Sequence, residues 1–421
     1  MTEVPFLFFA AAGLLMFRRY LETGRAAWLL GSSAALGYAY LIRQTALLYI
    51  AAVAVVLVLR RGIPAARFLA PAGVAVAAYQ AWLAATGGPT AAARRKFELL
   101  DRIGAEQIVG NSLGLAFYVA FMLLPALVWL APELPGLWRA ARPRSRVIAL
   151  CAGLALAVAG VAWFGLRYGL GPYLPSAAYH ARMPFLLNVL YDTGLGPLTL
   201  DPTYYGPPPT PTYPALWRFV TLATAGAVVL LALVLLLGVA RRLRDPFILA
   251  CMLALAFTAL FEVVFSHLEE GGLFDRHITA AALPALLLIA AVAESPPPAT
   301  PRRASRAAAA ALIVLFAAFS IAATHDYLAW NRARWELGRV PLERGVDTLA
   351  VSGGFEWNAW HNYDVFRARG GVEKVFYWWY DDRAWLIAMA PESGYTVAAR
   401  RDWFSWVHRR SLPVLLLRRT S

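Results

Sequence analysis

Cysteine and lysine are nearly absent from these 421 residues, each occurring only twice. Two cysteines cannot staple a secreted scaffold, and Cys151 and Cys251 both fall inside apolar runs, where they read as small apolar filler. Charge is also scarce. Asp, Glu, Lys and Arg make up 15% of the chain, where an average globular protein has roughly 25%. Hydrophobic residues at 60% exclude intrinsic disorder. There is no P-loop, no Gly-x-Gly-x-x-Gly after a strand, no Cys-x-x-Cys and no Gly-x-Ser-x-Gly, so nucleotide-driven transport and serine hydrolysis have no basis in the sequence. The histidines are scattered without metal-ligand spacing such as His-Glu-x-x-His, which argues against a histidine metal site.

Long apolar runs are what the chain has in abundance. Ten of them, at 4–17, 26–42, 45–59, 68–86, 112–131, 147–166, 217–239, 246–266, 277–294 and 307–324, are separated by short Arg-rich punctuation. This pattern predicts a polytopic membrane protein, an all-α bundle of about ten transmembrane helices. Several runs fall short of the roughly 20 residues that cross a bilayer, so flanking residues or tilt must extend them. The net charge of +14 sits mainly in the loops of this membrane portion, and no basic residues cluster on a soluble face as nucleic-acid binding requires.

Arginine placement predicts the topology. One set of loops, around Arg18, Arg60, Arg139, Arg241 and Arg302, carries sixteen arginines, while the opposite and longer set carries eight basic residues. The positive-inside rule places the first set in the cytoplasm and both chain ends outside the cytoplasmic membrane. The stretch 295–306, with its Pro-Pro-Pro and Arg-Arg, reads as a cytoplasmic linker.

After residue 324 the composition turns mixed polar and aromatic. Residues 1–324 are therefore expected to form the membrane domain and 325–421 a small exported α/β domain with a Trp-rich core. Asp326 to Gly338 reads as an amphipathic helix. Thr348–Val351, Trp385–Ala388, Tyr395–Ala398 and Pro413–Leu417 read as strands.

Charged residues at or within spans are costly unless paired or wet, so each is a candidate site residue. On the predicted outer side they converge. Glu3 opens the first run, Arg43 and Gln44 occupy the turn after the second, and Glu262 lies near the outer end of the eighth. The loop 267–276 packs His267, Glu269, Glu270, Asp275 and Arg276 against His277, and the long loop 167–216 adds Asn188, Asp192 and Asp201. Carboxylates in an outward polar cavity could accept a proton or hold a divalent cation, and arginines could bind a phosphate. Each also has a plainer reading: Glu269 and Glu270 as a solvated loop, Glu262 as a partner of an arginine in the bundle, Arg43 as a snorkelling side chain, Glu3 as a helix-end carboxylate. The Pro-rich stretch 202–214 reads as a stiff connector more than a lid, and Arg94 to Ile108 as a helix lying in the outer interface.

Two stretches carry a family resemblance. Met-Thr-Glu-Val-Pro-Phe-Leu-Phe-Phe (1–9), followed by Leu-Gly-Tyr-Ala-Tyr-Leu-Ile-Arg-Gln-Thr-Ala-Leu (36–47), is similar to an internal segment of the C-type polytopic glycosyltransferases: protein O-mannosyltransferases, lipid A aminoarabinose transferases and their bacterial relatives of families 39 and 83. Leu-Phe-Asp-Arg-His-Ile-Thr-Ala-Ala-Ala-Leu-Pro-Ala-Leu (273–286) resembles the family's Arg-Tyr-then-Leu-Pro stretch, with His277 in place of the usual Tyr. The resemblance implies transfer of a sugar from a polyprenyl-phosphate donor to a lipid, glycan or protein acceptor outside the cytoplasmic membrane. It implies that Glu3 matches the family's second acidic position, often associated with a divalent metal ion, and that Arg276 faces the lipid phosphate with Arg43 assisting. The family's leading catalytic aspartate lies in an outer loop upstream of the segment that resembles residue 1. This chain has no counterpart of it, so we expect either a fragment with a misassigned start, the reading we favour, or a degenerate member. Two other classes compete: a transporter or lipid flippase, which would show repeats and broken helices, and a non-catalytic envelope assembly protein using the exported domain to bind a partner.

Overall fold

The computed structural model describes residues 3–60, 64–86, 104–168, 199–202, 214–265, 275–293, 303–369 and 378–420, excepting the side chains of 64, 164–168, 214–218 and 275–277. The chain divides into two units. One is drawn from residues 1–171 and 218–312, the other from 172–217 and 313–421.

The first unit is helical: α1 (Glu3–Thr23), α2 (Ala26–Ile42), α3 (Ala46–Leu59), α4 (Pro64–Ala85), α5 (Ala105–Met122), α6 (Leu124–Leu130), α7 (Leu134–Ala140), α8 (Pro143–Tyr168), α9 (Pro214–Leu233), α10 (Pro246–Phe265) and α11 (Asp275–Ala293). A π-helical stretch at Val234–Val239 prolongs α9. Each of the ten apolar runs falls on helix, but they are not equivalent. Among the described residues six helices are long and apolar enough to cross a membrane, and α5 with α6–α7 makes a seventh if counted as one span; α2, α3 and residues 278–293 are shorter. The fifth run is bent by 65° at Leu123. The cause is Pro125 in the first turn of α6, which removes an N–H from the ladder and crowds the carbonyl four residues back.

Helix faces that would be unfavourable in water identify the solvent. On α1 the residues Phe6, Ala10, Leu14 and Phe17 are buried at helical spacing, while Val4 is 74% and Phe8 65% exposed. A helix apolar on both its packed and its open faces suits lipid. With no hydrophobic force between helices in lipid, close packing of small residues has to do the work. Accordingly, a Cβ added at Gly13 would sit 2.6 Å from Leu36, and one at Gly37 would sit 3.2 Å from the Ala72 backbone.

In the first unit α4 and α11 carry an interior proline without breaking, and in α11 a side chain from a neighbouring helix takes over the freed carbonyl. Pro284 in α11 leaves the carbonyl of Ala280, four residues back, without its helical donor; the Tyr49 hydroxyl of α3 donates to that oxygen. Beside Pro71 in α4, the Ser33 hydroxyl of α2 accepts from the Ala72 N–H at 3.0 Å and donates to the Phe68 carbonyl, tying α2 to the α4 backbone. Membrane helices tolerate proline where such groups take over the freed backbone.

In the second unit, α12 (Arg303–Glu343) runs unbroken through residue 324, where a domain boundary is expected from composition. No helix breaker separates the apolar half from the polar one, and the polar half is held by its own contacts. Asp326, fully buried, accepts from the backbone of Trp406 at 2.7 Å and of Val407 at 3.1 Å, and from the Ser405 hydroxyl. The division between the units falls instead at Leu312 and Ile313.

Four strands, β1 (Val351–Ser352), β2 (Trp385–Ala388), β3 (Tyr395–Ser405) and β4 (Arg410–Arg419), form a sheet in the order β1-β2-β4-β3, parallel between β1 and β2 and antiparallel elsewhere. With α13 (Phe355–Ala368) they confirm a small mixed α/β element at the carboxy-terminal end. β2 matches its expected limits. β3 is longer than the sequence pattern suggests because its middle is an exposed edge carrying Arg400, Arg401 and Asp402, and a shift in register at Val397/Ala399 breaks the alternation. Thr348–Ala350 is 3₁₀-helical, so the first strand begins only at Val351. Trp330, Leu337, Val351, Trp357, Ile387, Trp403, Val414 and Leu416 form the core. Gly353 and Gly354 are dictated by that core: a Cβ at Gly353 would meet the Trp357 ring at 2.5 Å, and Gly354 has φ 95°.

Candidate functional site

Glu3 stands in the first turn of α1, and Arg43 caps the last turn of α2 in extended conformation. Their side chains approach to 3.6 Å, with the Arg43 side chain only 14% and Glu3 27% exposed. The Arg43 guanidinium also lies 6.0 Å from the centre of the Phe6 ring, and Phe6 meets Tyr49 edge-on at 6.0 Å. Arg43 is therefore committed to the bundle wall on two sides. Gln44 donates to the Tyr79 hydroxyl at 2.6 Å and ties the α2–α3 turn to α4.

Tyr49 extends this cluster to α11. Its bond to the Ala280 carbonyl anchors α11 about 6 Å, one turn, beyond Arg276. Asp275, Arg276 and His277 form the first turn of that helix, and their side chains lie outside the described residues. The start of α1, the α2–α3 turn and the start of α11 are thus gathered at one end of the first unit. Glu262, 2% exposed, sits in the last turn of α10, next to Val263, whose carbonyl accepts from Asn111 of α5 at 3.0 Å.

No protein family matches the chain, and neither a curated protein nor a solved structure matches it.

Asp201, expected in the same outer cavity, is a buried residue of the second unit. It is 1% exposed and accepts from the Tyr380 hydroxyl at 2.5 Å and from Arg383 at 3.2 Å. Burial works to lower the Arg383 pKa, but Asp201, Tyr380 and Tyr395 carry it above its ordinary value. The arrangement reads as a tether joining the 199–202 segment to the residues that lead into β2. Asn188, Asp192, His267, Glu269 and Glu270 fall outside the described residues, as does most of the stretch expected to lie in the outer interface.

Divalent ions take several oxygen ligands; among the described residues no three His, Cys, Asp or Glu side chains gather, and the carboxylate at Glu3 faces a guanidinium 3.6 Å away. We derive no step through a metal.

The residues that organise this end, Tyr49 and Phe6, escape sequence reasoning because both look like ordinary apolar-run members. The one signal was Pro284, which predicts an unpaired carbonyl at Ala280 and hence a donor somewhere nearby.

Proposed function

We propose that the chain is an integral membrane glycosyltransferase that moves a sugar from a polyprenyl-phosphate donor to an acceptor at the outer face of the cytoplasmic membrane, with a small exported domain following its last helix. The observation that carries this reading is the half-buried Glu3–Arg43 pair, set at the end of the bundle where α11 begins with Asp275 and Arg276. In this reading a proton acceptor and cationic groups serve at the boundary of apolar helices, where a lipid phosphate and an acceptor hydroxyl can meet.

The chemistry is a substitution at the anomeric carbon. The acceptor oxygen forms a bond to that carbon as its proton passes to the Glu3 carboxylate, and the bond from carbon to phosphate oxygen breaks, its electron pair leaving on the polyprenyl phosphate. Arg276 and Arg43 supply positive charge where that phosphate charge develops. Gln44 and Glu262 shape the wall, and both are already engaged in it. The test is radiolabelled polyprenyl-phosphate sugar added to membranes that contain or lack the full chain. Label moved to a new acceptor only with the chain present supports the reading, and none under any donor overturns it.

A second reading, transport or lipid flipping, draws on the 65° break between α5 and α6, since interrupted helices recur in transporters. Movement of a labelled lipid across vesicles containing the chain, without sugar transfer, would favour it.

A further inference from the structure

The first unit holds a second polar feature, at its other end. Arg18 is fifteen residues along α1 from Glu3, about 22 Å away at helical rise. Around it lies a cavity of about 290 Å³, lined by Arg18 and Glu22 of α1, Arg60 after α3, Arg242 after the π-helical stretch, and Asp245 and Phe247 at the start of α10. That volume is close to the roughly 300 Å³ at which small-molecule sites begin.

The charges are not balanced. Both carboxylates are already occupied: Glu22 accepts from Arg18 at 3.1 Å and Arg19 at 2.9 Å, and Asp245 caps α10 by accepting from the Phe247 N–H at 2.8 Å. Arg242 donates to the Ala291 carbonyl at 2.7 Å, in the last turn of α11. Arg18 is braced over the Phe247 ring at 5.5 Å. These contacts hold two guanidinium groups in place on the cavity wall. Arg60 adds a third, and among the described residues its side chain has no hydrogen-bond or ion-pair partner. Glu22 answers Arg18 within the cavity wall and Asp245 is turned to the α10 backbone, so Arg60 and Arg242 leave the cavity with an excess of positive charge that favours an anion. Guanidinium geometry suits the paired oxygens of a phosphate.

We propose that this cavity binds a phosphate ester, and that the natural ligand is the headgroup of an anionic phospholipid. Two features favour a lipid over a soluble phosphate. Val58 and Leu59, which precede Arg60, are 62% and 67% exposed, an open apolar track leading to the cationic rim along which an acyl chain can lie. Basic pockets at the ends of membrane helices are also where headgroups stand. The site owes nothing to the glycosyl-transfer reading.

The experiment uses the purified full chain in a neutral detergent with three probes: inorganic phosphate, dioctanoyl phosphatidic acid, and dioctanoyl phosphatidylcholine as zwitterionic control. Binding is read by titration of thermal stability and by native mass spectrometry. Saturable binding of the phosphatidic acid, weakened about tenfold in Arg60→Gln, largely kept in Arg60→Lys and reduced by salt, supports the lipid headgroup. Inorganic phosphate binding with equal affinity and the same Arg60 dependence supports the phosphate site but overturns the lipid as its ligand. Equal binding of all three probes, binding indifferent to Arg60→Gln, or no saturable binding overturns the proposal. Arg60 is exposed and among the described residues its side chain has no hydrogen-bond or ion-pair partner, so the variant's melting temperature without probe should equal that of the parent.

Discussion

Glu3 and Arg43, forty residues apart in the chain, face each other at 3.6 Å across the mouth of the α1–α2 hairpin, with most of both side chains shielded from solvent. A shielded pair of this kind is costly to keep unless its position matters, because desolvating two ions offsets much of their attraction.

Replacing Glu3 by Gln preserves volume and removes the charge. We expect sugar transfer in the membrane assay to fall by at least about 100-fold, the scale of a lost general base, with the protein inserted at parental levels. Arg276→Ala should instead raise the apparent KM for the lipid-linked donor, since it removes a phosphate contact. Full activity in Glu3→Gln removes Glu3 from the reaction, and an unchanged KM in Arg276→Ala removes Arg276 from donor binding.

The hydroxyl contacts to α4 and α11 give a prediction independent of catalysis. Ser33→Ala leaves the Ala72 N–H and the Phe68 carbonyl without the hydroxyl that bridges them in a buried position. Its cost should be about 1–3 kcal/mol, seen as a lower melting temperature in detergent. Tyr49→Phe deletes only the oxygen that serves the Ala280 carbonyl and should cost a similar amount. Combining Tyr49→Phe with Pro284→Ala restores a helical donor to that carbonyl, so the double variant should melt above Tyr49→Phe alone.

In the second unit Asp326 is fully buried and serves two backbone N–H groups and the Ser405 hydroxyl. Asp326→Ala strands these donors and should cost about 3 kcal/mol or more. Tryptophan fluorescence follows the loss directly, because Trp406 lies in the tethered turn and stacks on His325 with ring centres 3.9 Å apart. A melting curve unchanged by Asp326→Ala would show that the tether carries no stability.

His361 packs against the Trp357 ring at 4.3 Å, and burial pulls its pKa below the ordinary 6.5. The unfolded chain therefore takes up this proton at a higher pH than the folded one. Stability from this residue is complete above about pH 6.5 and declines as pH falls towards the lowered folded value. Melting temperatures of the parent and His361→Gln between pH 7.5 and 5.5 should diverge, with the parent showing the steeper fall.

Much of the architecture was legible because apolar length is a local property. Residues 26–42 and 246–266 need no partner to declare themselves helical and lipid-compatible, and the Trp385–Ala388 strand announces itself by composition. The candidate site was legible only as a set of residues too costly to be idle. That Glu3 meets Arg43 depends on the α1–α2 turn, and that α11 begins beside them depends on Tyr49 reaching Ala280 across 231 positions. The cavity around Arg60 was hidden for a different reason. In sequence its arginines serve orientation equally well, and nothing local says that three helix ends will meet.

Hydropathy was thus enough, by itself, to anticipate apolar helices long enough to cross a membrane and a small mixed sheet towards the carboxy-terminal end. Only the folded chain decided that α12 passes through residue 324 without a break, that Asp201 is a buried tether to Arg383, and that Tyr49 serves the carbonyl freed by Pro284. The reason is physical. Transfer between water and lipid is scored residue by residue along a segment, while pairing a charge or a freed carbonyl requires two parts of the chain to arrive at the same place.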